Sequence, residues 1–460
     1  MKYISTRGET KPRTFVQVVI DGLARDGGLY VPEEIPDFSG KLESLKDLKY
    51  QQLAYDIFRP FIDGEIDNST LKGLIERSYC AFSVPEITPV RFIDNIAILE
   101  LFHGPTLAFK DVALQFLGNL FEEILKKQRT TLNILGATSG DTGSAAIYGV
   151  RGKENISIFM LHPKGKVSPV QEKQMTTVLD NNVHNIAVKG TFDDAQRIVK
   201  EIFNDLAFKD KYSLGAVNSI NWARVMAQIV YYFYSAFRFE EKFPGKPLVF
   251  SVPTGNFGDI YAGYLAKKMG LPIEKLILAT NENDILFRTL ETGIYKISNV
   301  FSSLSPSMDI QIASNFERFL FDIYKKDGKK VQQKMNDLTQ KGEFHLTNSE
   351  LIEARSVFTS IRIDTKRTLE AIKLYKNKGV ILDPHTAVGV AAAEESKYSH
   401  VITLATAHPA KFSEAVFKAI GAEPEIPQAL DGLLKKESKC LITQSSAIEI
   451  KQIIEATLNL

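Results

Sequence analysis

Short apolar runs alternate with longer segments of helical period over most of the chain. Runs of this length, bounded by turn residues, predict buried strands, and helices between them predict parallel sheets. Two groups of strands, separated by the aromatic-rich helix WARVMAQIVYYFYSAFRFEEKF, predict two parallel α/β lobes around a cleft. The predicted strands are TLNILGAT (131–138), ISIFMLHP (156–163), VHNIAVKG (183–190), PLVFSVPT (247–254), KLILAT (275–280), GVILDP (379–384) and HVITLAT (400–406).

The pattern differs at the amino-terminal end. Residues 1–90 are predicted to form a separate, mostly helical unit that ends near VPEITPV, where two prolines mark a connection. Residues 91–460 then form the α/β core, with a smaller lobe at roughly 111–235 nested within a larger one. The charged segment at about 325–370 is interpreted as a helical surface excursion.

Lys110 is placed unusually for a lysine. In LFHGPTLAFKDVALQFLGNL (101–120) it ends an apolar approach and opens an apolar helix. Most lysines keep their ammonium in water, and a surface charge is the alternative. Burial would instead lower the pKa of the amine, and a neutral amine is what Schiff-base chemistry with a carbonyl requires. Lys110 is therefore a candidate for covalent catalysis.

A tight turn follows a predicted strand in VFSVPTGNFGDIYAG. The strand ends at Thr254, residues 255–258 turn, and a helix begins near Asp259. Glycines and the free N–H groups of a helix start favour a bound phosphate. The alternative is a turn that binds nothing. Neither a Walker A loop nor G-x-G-x-x-G is present, which argues against ATP and dinucleotides.

A second glycine-rich turn lies in LGATSGDTGSAAIYG. Residues 138–142 could bring hydroxyls and amides around a small carboxylate, although helix capping by Ser139 or Asp141 would explain the same residues. A lysine, a phosphate site and a carboxylate site are together what a pyridoxal-phosphate enzyme acting on an amino acid needs. The combination therefore indicates a pyridoxal-phosphate enzyme that acts on an amino acid.

Composition excludes several classes of protein. The 56 basic and 55 acidic side chains leave a net charge of +1, so no global field recruits nucleic acid or an anionic membrane. Cys80 and Cys440 are too few for a disulfide scaffold and indicate a reducing compartment. No segment predicts a signal peptide or a membrane span, and seven scattered histidines form no metal motif. We expect a cytoplasmic protein without a metal.

The chain resembles the threonine synthase family over nearly its whole length. The start, YISTRGE…DGLARDGGLYVP, is similar to that family's amino-terminal domain. The motifs that follow in the family's order are HGPTLAFKD, GATSGDTGSAA, HPKGKVSPVQEKQMTT, NSINWARVMAQ, PTGNFGD and TAHPAKF. The resemblance implies a fold-type-II pyridoxal-phosphate enzyme, related to the tryptophan synthase β subunit and monomeric.

The same resemblance implies an activity. It is that of a carbon–oxygen lyase acting on phosphate in threonine biosynthesis, which converts O-phospho-L-homoserine and water to L-threonine and phosphate. Phosphate leaves from Cγ and water adds at Cβ. A serine or threonine dehydratase, or a phospho-amino-acid lyase, is the alternative within the same cofactor class. A non-catalytic binding protein of the same fold is a more distant alternative.

The resemblance also assigns roles to residues. Lys110 would form the Schiff base and carry protons, and the hydroxyl of Thr406 would face the pyridine nitrogen. The cofactor phosphate would bind the backbone amides of Gly255, Asn256, Phe257 and Gly258. The substrate carboxylate would bind the loop of Thr138, Ser139, Gly140, Asp141 and Thr142. Asp141 stands where relatives more often have asparagine, and it would repel a carboxylate. Thr138, Ser139 and Thr142 are therefore the preferred ligands.

The phosphate of the substrate needs a second anion site. Arg224, with Asn221, is the first choice, because a guanidinium offers a planar, bidentate fork. Lys164 and Lys166 are the second choice, with ordinary surface charge as the alternative. Asp194 and His385 resemble family features without an assigned role.

Overall fold

The structure, a computed structural model, describes residues 1–9 and 11–459. The strands are β1 (Tyr3–Ser5), β2 (Tyr30–Pro32), β3 (Val90–Ile93), β4 (Ile96–Glu100), β5 (Leu132–Ala137), β6 (Ile156–Pro163), β7 (Val183–Lys189), β8 (Leu214–Gly215), β9 (Leu248–Pro253), β10 (Ile273–Thr280), β11 (Ile294–Lys296), β12 (Glu343–His345), β13 (Phe358–Arg362), β14 (Val401–Ala405) and β15 (Leu441–Gln444).

Helices separate most of these strands. They are α1 (Phe15–Asp21), α2 (Leu42–Leu45), α3 (Tyr50–Ile62), α4 (Asn68–Tyr79), α5 (Lys110–Gln128), α6 (Asp141–Val150), α7 (Pro169–Thr176), α8 (Phe192–Asn204), α9 (Leu206–Lys211), α10 (Trp222–Lys242), α11 (Gly258–Lys268), α12 (Ile285–Thr292), α13 (Phe316–Ile323), α14 (Gly328–Lys341), α15 (Asn348–Val357), α16 (Thr365–Asn377), α17 (Pro384–Glu395), α18 (Ser413–Ile420) and α19 (Ala447–Leu458).

The larger lobe is built on a six-stranded sheet in the order β13-β10-β9-β14-β4-β3. Its strands run parallel except β3, which pairs antiparallel with β4 at the edge. Every residue of β9 and β14 is buried, as expected for strands that helices cover on both faces. Together with the parallel sheet of the smaller lobe, described next, this sheet confirms the predicted α/β class with two parallel lobes. The carboxyl ends of its strands border the cleft described below.

The smaller lobe holds a five-stranded parallel sheet in the order β15-β7-β6-β5-β8. Its edge strand β15 comes from the carboxy-terminal end and pairs with β7 from Leu441 to Gln444. Helix α19 packs on the same lobe through Ile450 and Ile454. The smaller lobe is therefore not confined to the nested range of about 111–235, since the chain returns to it after completing the larger lobe.

Two predicted elements of the larger lobe were wrong. Residues 379–383 form no strand; Val380 and Leu382 are buried against the helical layer, and Asp383 caps α17 at Pro384. The segment at 325–370 is helical in part, but Phe358–Arg362 is the edge strand β13, parallel to β10. Phe358 is buried against Phe257, so this segment contributes to the sheet and its core.

The amino-terminal unit contains α1–α4 and a short antiparallel pair of β1 with β2. Its side chains join the same continuous core as the two α/β lobes. Polar contacts add to this packing, because the Arg7 guanidinium forms an ion pair with Glu317 at 2.9 Å. The unit is thus docked on the larger lobe and not suspended from it.

Two close backbone approaches hold α5 against α6. The backbone of Gly118 on α5 meets that of Gly149 on α6, where a side chain on Gly118 would overlap the Gly149 carbonyl. A Cβ on Gly149 would in turn lie 2.5 Å from the carbonyl oxygen of Leu114. The helix that begins at Lys110 is therefore packed closely against the helix that begins at Asp141.

In the described part of the chain, no helix is both long and apolar enough to cross a membrane.

Candidate active site

Lys110 is the first residue of α5 and is held at the carboxyl end of β14. The N–H of Phe109 donates to the carbonyl oxygen of Thr406 at 2.8 Å, and Ala108 bridges to Ala407. The Lys110 side chain is buried, and its amine lies 3.4 Å from Asp141 Oδ2. Burial lowers the pKa of Lys110, and the positive charges of Lys411 and Arg224 act in the same direction, whereas Asp141 opposes them. The amine is therefore easier to deprotonate than that of a surface lysine.

Residues 255–258 form a cup of free backbone donors at the start of α11. No described residue accepts a hydrogen bond from the N–H groups of these four positions. Phe257 adopts a left-handed conformation, with φ of 63°, and its ring is buried among other aromatic rings, so only its backbone is available to a ligand. A Cβ on Gly255 would lie 3.0 Å from the carbonyl oxygen of Ser307. The cup therefore has the donors and the tight walls of an anion site.

Buried polar contacts support the cup from behind. The backbone N–H and the side-chain amide of Asn315 donate to the carbonyl oxygen of Asn256 at 3.1 and 3.2 Å. Asn315 Oδ1 accepts from the fully buried Arg318, whose guanidinium also donates to the carbonyls of Ile220 and Tyr30. The Asn256 carbonyl and the Phe257 N–H belong to one trans peptide unit, so fixing the carbonyl towards Asn315 directs the Phe257 N–H to the opposite side.

The loop at 138–142 leads from β5 into α6. The hydroxyl of Thr138 accepts from the N–H groups of Gly140 and Gly143 at 3.0 and 2.9 Å, so Thr138 shapes the loop. Gly140 has φ of 144° and packs against Gln171. The N–H groups of Ser139 and Thr142 have no acceptor among the described residues, and Ser139 is exposed. These positions can receive a small anion.

Lys411 is a residue of this site that the sequence reasoning quoted in a motif but did not assign. It is 1% exposed, and its amine lies 2.8 Å from Asp141 Oδ1. Gln171 Nε2 donates to the same oxygen at 2.7 Å. Burial by itself would raise the pKa of Asp141, but Lys411 and Lys110 together hold it far below its ordinary value. Asp141 is therefore a fixed carboxylate, and its first partner is Lys411.

Ser307 joins the cup to the loop. Its carbonyl oxygen faces Gly255, its hydroxyl lies 3.4 Å from Asp141 Oδ2, and its N–H donates to His385 Nε2 at 3.2 Å. His385 Nδ1 lies 2.9 Å from Asp383, which fixes the tautomer with the proton on Nδ1. The phosphate cup, the lysine and the loop thus line one cleft.

Arg224 lies near the start of α10 and is buried. Its Nη1 has no hydrogen-bond partner within the described chain, and burial lowers its pKa to about 10. The charge of Arg224 also acts on Lys110. A buried, unsatisfied guanidinium is costly unless a ligand completes it, so Arg224 has a free donor that could receive an anion.

Asn221, unlike Arg224, has no free side-chain group that could bind a ligand. It is 0% exposed; its amide donates to the carbonyl of Val19 at 2.9 Å, and its oxygen caps α10 by accepting from Ala223 N–H at 3.0 Å. With no accessible surface it cannot touch a ligand in this conformation. The pairing of Asn221 with Arg224 as phosphate ligands is corrected on this ground, and Asn221 instead fixes the helix that carries Arg224.

The remaining predicted residues differ in their positions. Thr406 is 6% exposed, and its carbonyl and N–H are both engaged, the N–H by Thr386. Lys164 and Lys166 are exposed beyond β6, as ordinary surface charges would be. Asp194 caps α8 together with Thr191.

The residues of this cleft fit pyridoxal phosphate. The buried amine of Lys110 matches its aldehyde, and the free backbone amides at 255–258 match its phosphate. The hydroxyl of Thr406, which has no hydrogen-bond partner among the described residues, matches its ring nitrogen. The described residues contain no cluster of three or more side chains able to hold a metal ion.

Known families match nearly all of the chain. Residues 2–79 match the model of the threonine synthase N terminus, residues 88–337 that of pyridoxal-phosphate dependent enzymes, and residues 386–454 that of the threonine synthase C-terminal region. A threonine synthase of Pseudomonas aeruginosa is 47% identical, with 99% of this chain and 98% of that protein covered. One of Saccharomyces cerevisiae is 46% identical, with 99% and 98% covered.

A solved structure has the same fold. The PLP-bound threonine synthase from Brucella melitensis superimposes with a TM-score of 0.96 and is 45% identical, over 99% of both chains. This likeness includes the amino-terminal unit and both lobes.

Proposed function

The chain belongs to the threonine synthase family, and from this membership we propose that its cleft converts O-phospho-L-homoserine and water to L-threonine and phosphate. The observation that carries the choice of substrate is the buried, unsatisfied guanidinium of Arg224 beside Lys110. The cup at 255–258 provides one phosphate site, and Arg224 provides another. A phosphorylated amino acid bound with a phosphorylated cofactor needs both.

Five groups divide the work. With pyridoxal phosphate bound, the amides at 255–258 would hold its phosphate, Lys110 would bond to its aldehyde carbon, and the hydroxyl of Thr406 would hold its ring nitrogen. When bound, pyridoxal phosphate supplies an electron sink for charge that forms on the substrate carbons. Because burial lowers the pKa of the Lys110 amine, the neutral amine that can accept the Cα proton forms more readily than in a surface lysine, and it can return protons later.

The loop at 138–142 and Arg224 orient the substrate. The free amides of Ser139 and Thr142, with the Ser139 hydroxyl, bind the α-carboxylate, and Thr138 and Gly140 hold the loop in shape. Arg224 binds the phosphate that departs from Cγ, where a charge-assisted contact steadies the leaving group. Lys164 lies at the exposed rim and is a secondary contact at most.

Product analysis tests this function. Purified holoenzyme given O-phospho-L-homoserine should release L-threonine and phosphate in equal amounts. Release of 2-oxobutanoate would instead identify an eliminating enzyme of the same cofactor class, and an absence of turnover with bound cofactor would favour a binding protein. Lys110→Ala is the matched control: it should lose turnover, and borohydride should no longer fix the cofactor to the chain.

We also propose a monomer of the cytoplasm. The two cysteines, Cys80 and Cys440, are free, as expected in a reducing compartment. Residues 1–90 form the amino-terminal domain and residues 91–460 the catalytic core, in which the last strand and helix join the smaller lobe.

A further inference from the structure

Asp141 poses an electrostatic problem for the proposed carboxylate loop. It is the first residue of α6, between the free amides of Ser139 and Thr142. A fixed anion next to a bound carboxylate raises the cost of binding that carboxylate. The positive end of the α6 dipole offsets only part of one charge. Binding therefore requires that something neutralise Asp141.

Two cations contact Asp141 in the described chain, one on each oxygen. Lys411 lies 2.8 Å from Oδ1, and Lys110 lies 3.4 Å from Oδ2. Arg224 and His385 also face this region. Lys110 cannot remain the counterion during turnover, because the proposed chemistry needs its amine neutral or bonded to the cofactor. Lys411 is the cation whose charge is available throughout.

Several contacts hold Lys411 in place. Its amine donates to the carbonyl oxygen of Thr106 at 2.7 Å. Thr106 is itself fixed, since its N–H and hydroxyl donate to the buried Asp111 at 2.8 and 2.7 Å. Lys411 belongs to the short 3-10 helix Pro409–Phe412, which follows β14. The larger lobe thereby places the amine of Lys411 against a loop of the smaller lobe.

We propose that Lys411 is a positioning residue that neutralises Asp141 and so allows the loop at 138–142 to accept the substrate's α-carboxylate. This inference rests on the proposed function, which places the carboxylate there. Gln171 complements Lys411 by donating to the same Asp141 oxygen, which leaves the other oxygen to Lys110 and Ser307. The aspartate at this position is thus compatible with an anionic ligand because its charge is matched locally.

A charge-balance experiment tests the proposal. The variants are Lys411→Gln, which removes the charge and keeps a donor for Thr106, Lys411→Arg, which keeps the charge, Asp141→Asn, and the double variant Asp141→Asn/Lys411→Gln. Each is measured as holoenzyme for cofactor absorbance, thermal stability and KM for O-phospho-L-homoserine. Inhibition by 3-aminopropyl phosphate, which lacks only the carboxylate, is measured in parallel.

Lys411→Gln should raise KM at least tenfold while its inhibition by 3-aminopropyl phosphate changes less than twofold. Lys411→Arg should raise KM less than threefold. The double variant should return KM to within threefold of Asp141→Asn, because neither charge remains. If Lys411→Gln does not fold, the comparison of the double variant with Asp141→Asn still decides, and a difference above tenfold overturns the proposal.

Other outcomes contradict it as well. An equal loss of affinity for substrate and for 3-aminopropyl phosphate would mean that Lys411 is only structural. An unchanged KM in Lys411→Gln, with wild type still forming L-threonine, would refute this inference alone. A wild-type enzyme that forms no L-threonine would refute the proposed function instead.

Discussion

Arg224→Met should make the substrate-free protein more stable and bind its substrate more weakly. The arginine is buried, its Nη1 is unsatisfied, and burial lowers its pKa to about 10, against above about 12 for an ordinary arginine. At about 1.4 kcal/mol for each tenfold change in proton affinity, keeping this charge buried costs about 3 kcal/mol. Methionine keeps an apolar stem and removes that cost, so the free energy of unfolding should rise by about 1 to 3 kcal/mol.

The same substitution removes a charge-assisted contact to the substrate phosphate. Such a contact contributes about 1.5 to 3 kcal/mol, or about 10- to 150-fold in KM for O-phospho-L-homoserine. Affinity for L-homoserine, which has no phosphate, should not change. Cofactor absorbance should also be retained, because the amides at 255–258 are on a separate segment.

Urea unfolding without substrate and steady-state kinetics measure the two effects. Arg238→Met is the matched control, since Arg238 is on the same helix, is partly exposed, and donates to the carbonyl of Lys46. It should leave KM unchanged and give no gain in stability. The reasoning is refuted if Arg224→Met destabilises the substrate-free protein, or if its KM is that of wild type.

Three further substitutions test other parts of the structure. Gly118→Ala would force a methyl group onto the Gly149 carbonyl and should lower the free energy of unfolding by about 2 kcal/mol or more, whereas Gly73→Ala, at a less crowded helical site, should raise it by about 0.5 to 1 kcal/mol. Burial raises the pKa of Asp259 to about 6, so its ionisation destabilises the fold as the pH rises from about 4 to about 6. In urea unfolding, the free energy of unfolding of Asp259→Asn should match that of wild type at pH about 4 and exceed it by up to about 3 kcal/mol at neutral pH. Equal gains at both pH values would contradict this. Thr406→Asp should slow turnover at least about tenfold by placing a charge at the ring nitrogen, and wild-type turnover would exclude Thr406 as the partner of that atom.

Local sequence patterns predicted most of the scaffold because the central strands of both sheets are buried on both faces. Runs such as ISIFMLHP can be recognised without tertiary information, since they are mostly apolar and almost entirely buried. Strand β13 was missed because FTSIR has only two apolar residues, lies at a sheet edge and belongs to a charged segment. GVILDP was wrongly predicted to be a strand for the opposite reason. Its apolar residues are buried under helices, but its backbone pairs with no strand.

The site was less predictable because its key contacts join distant segments. Lys411 and Asp141 are far apart in the sequence, and only folding brings the Lys411 amine to 2.8 Å from the Asp141 carboxylate. Asn221 and Arg224 belong to one short motif and are both buried, yet Asn221 has hydrogen-bond partners within the chain whereas Nη1 of Arg224 has none. Sequence spacing indicates which residues share a helix, but it does not indicate which are already satisfied.

The contacts behind the phosphate cup give the amino-terminal unit a part in ligand binding. The buried guanidinium of Arg318 connects the carbonyl of Tyr30, in that unit, to Asn315, which fixes Asn256 in the cup. Asn221 is likewise bonded to Val19 of that unit and caps the helix of Arg224. A catalytic core expressed without its first ninety residues would therefore lose hydrogen bonds that support the cup and the helix of Arg224, and the amino-terminal unit cannot be exchanged or trimmed as an independent module.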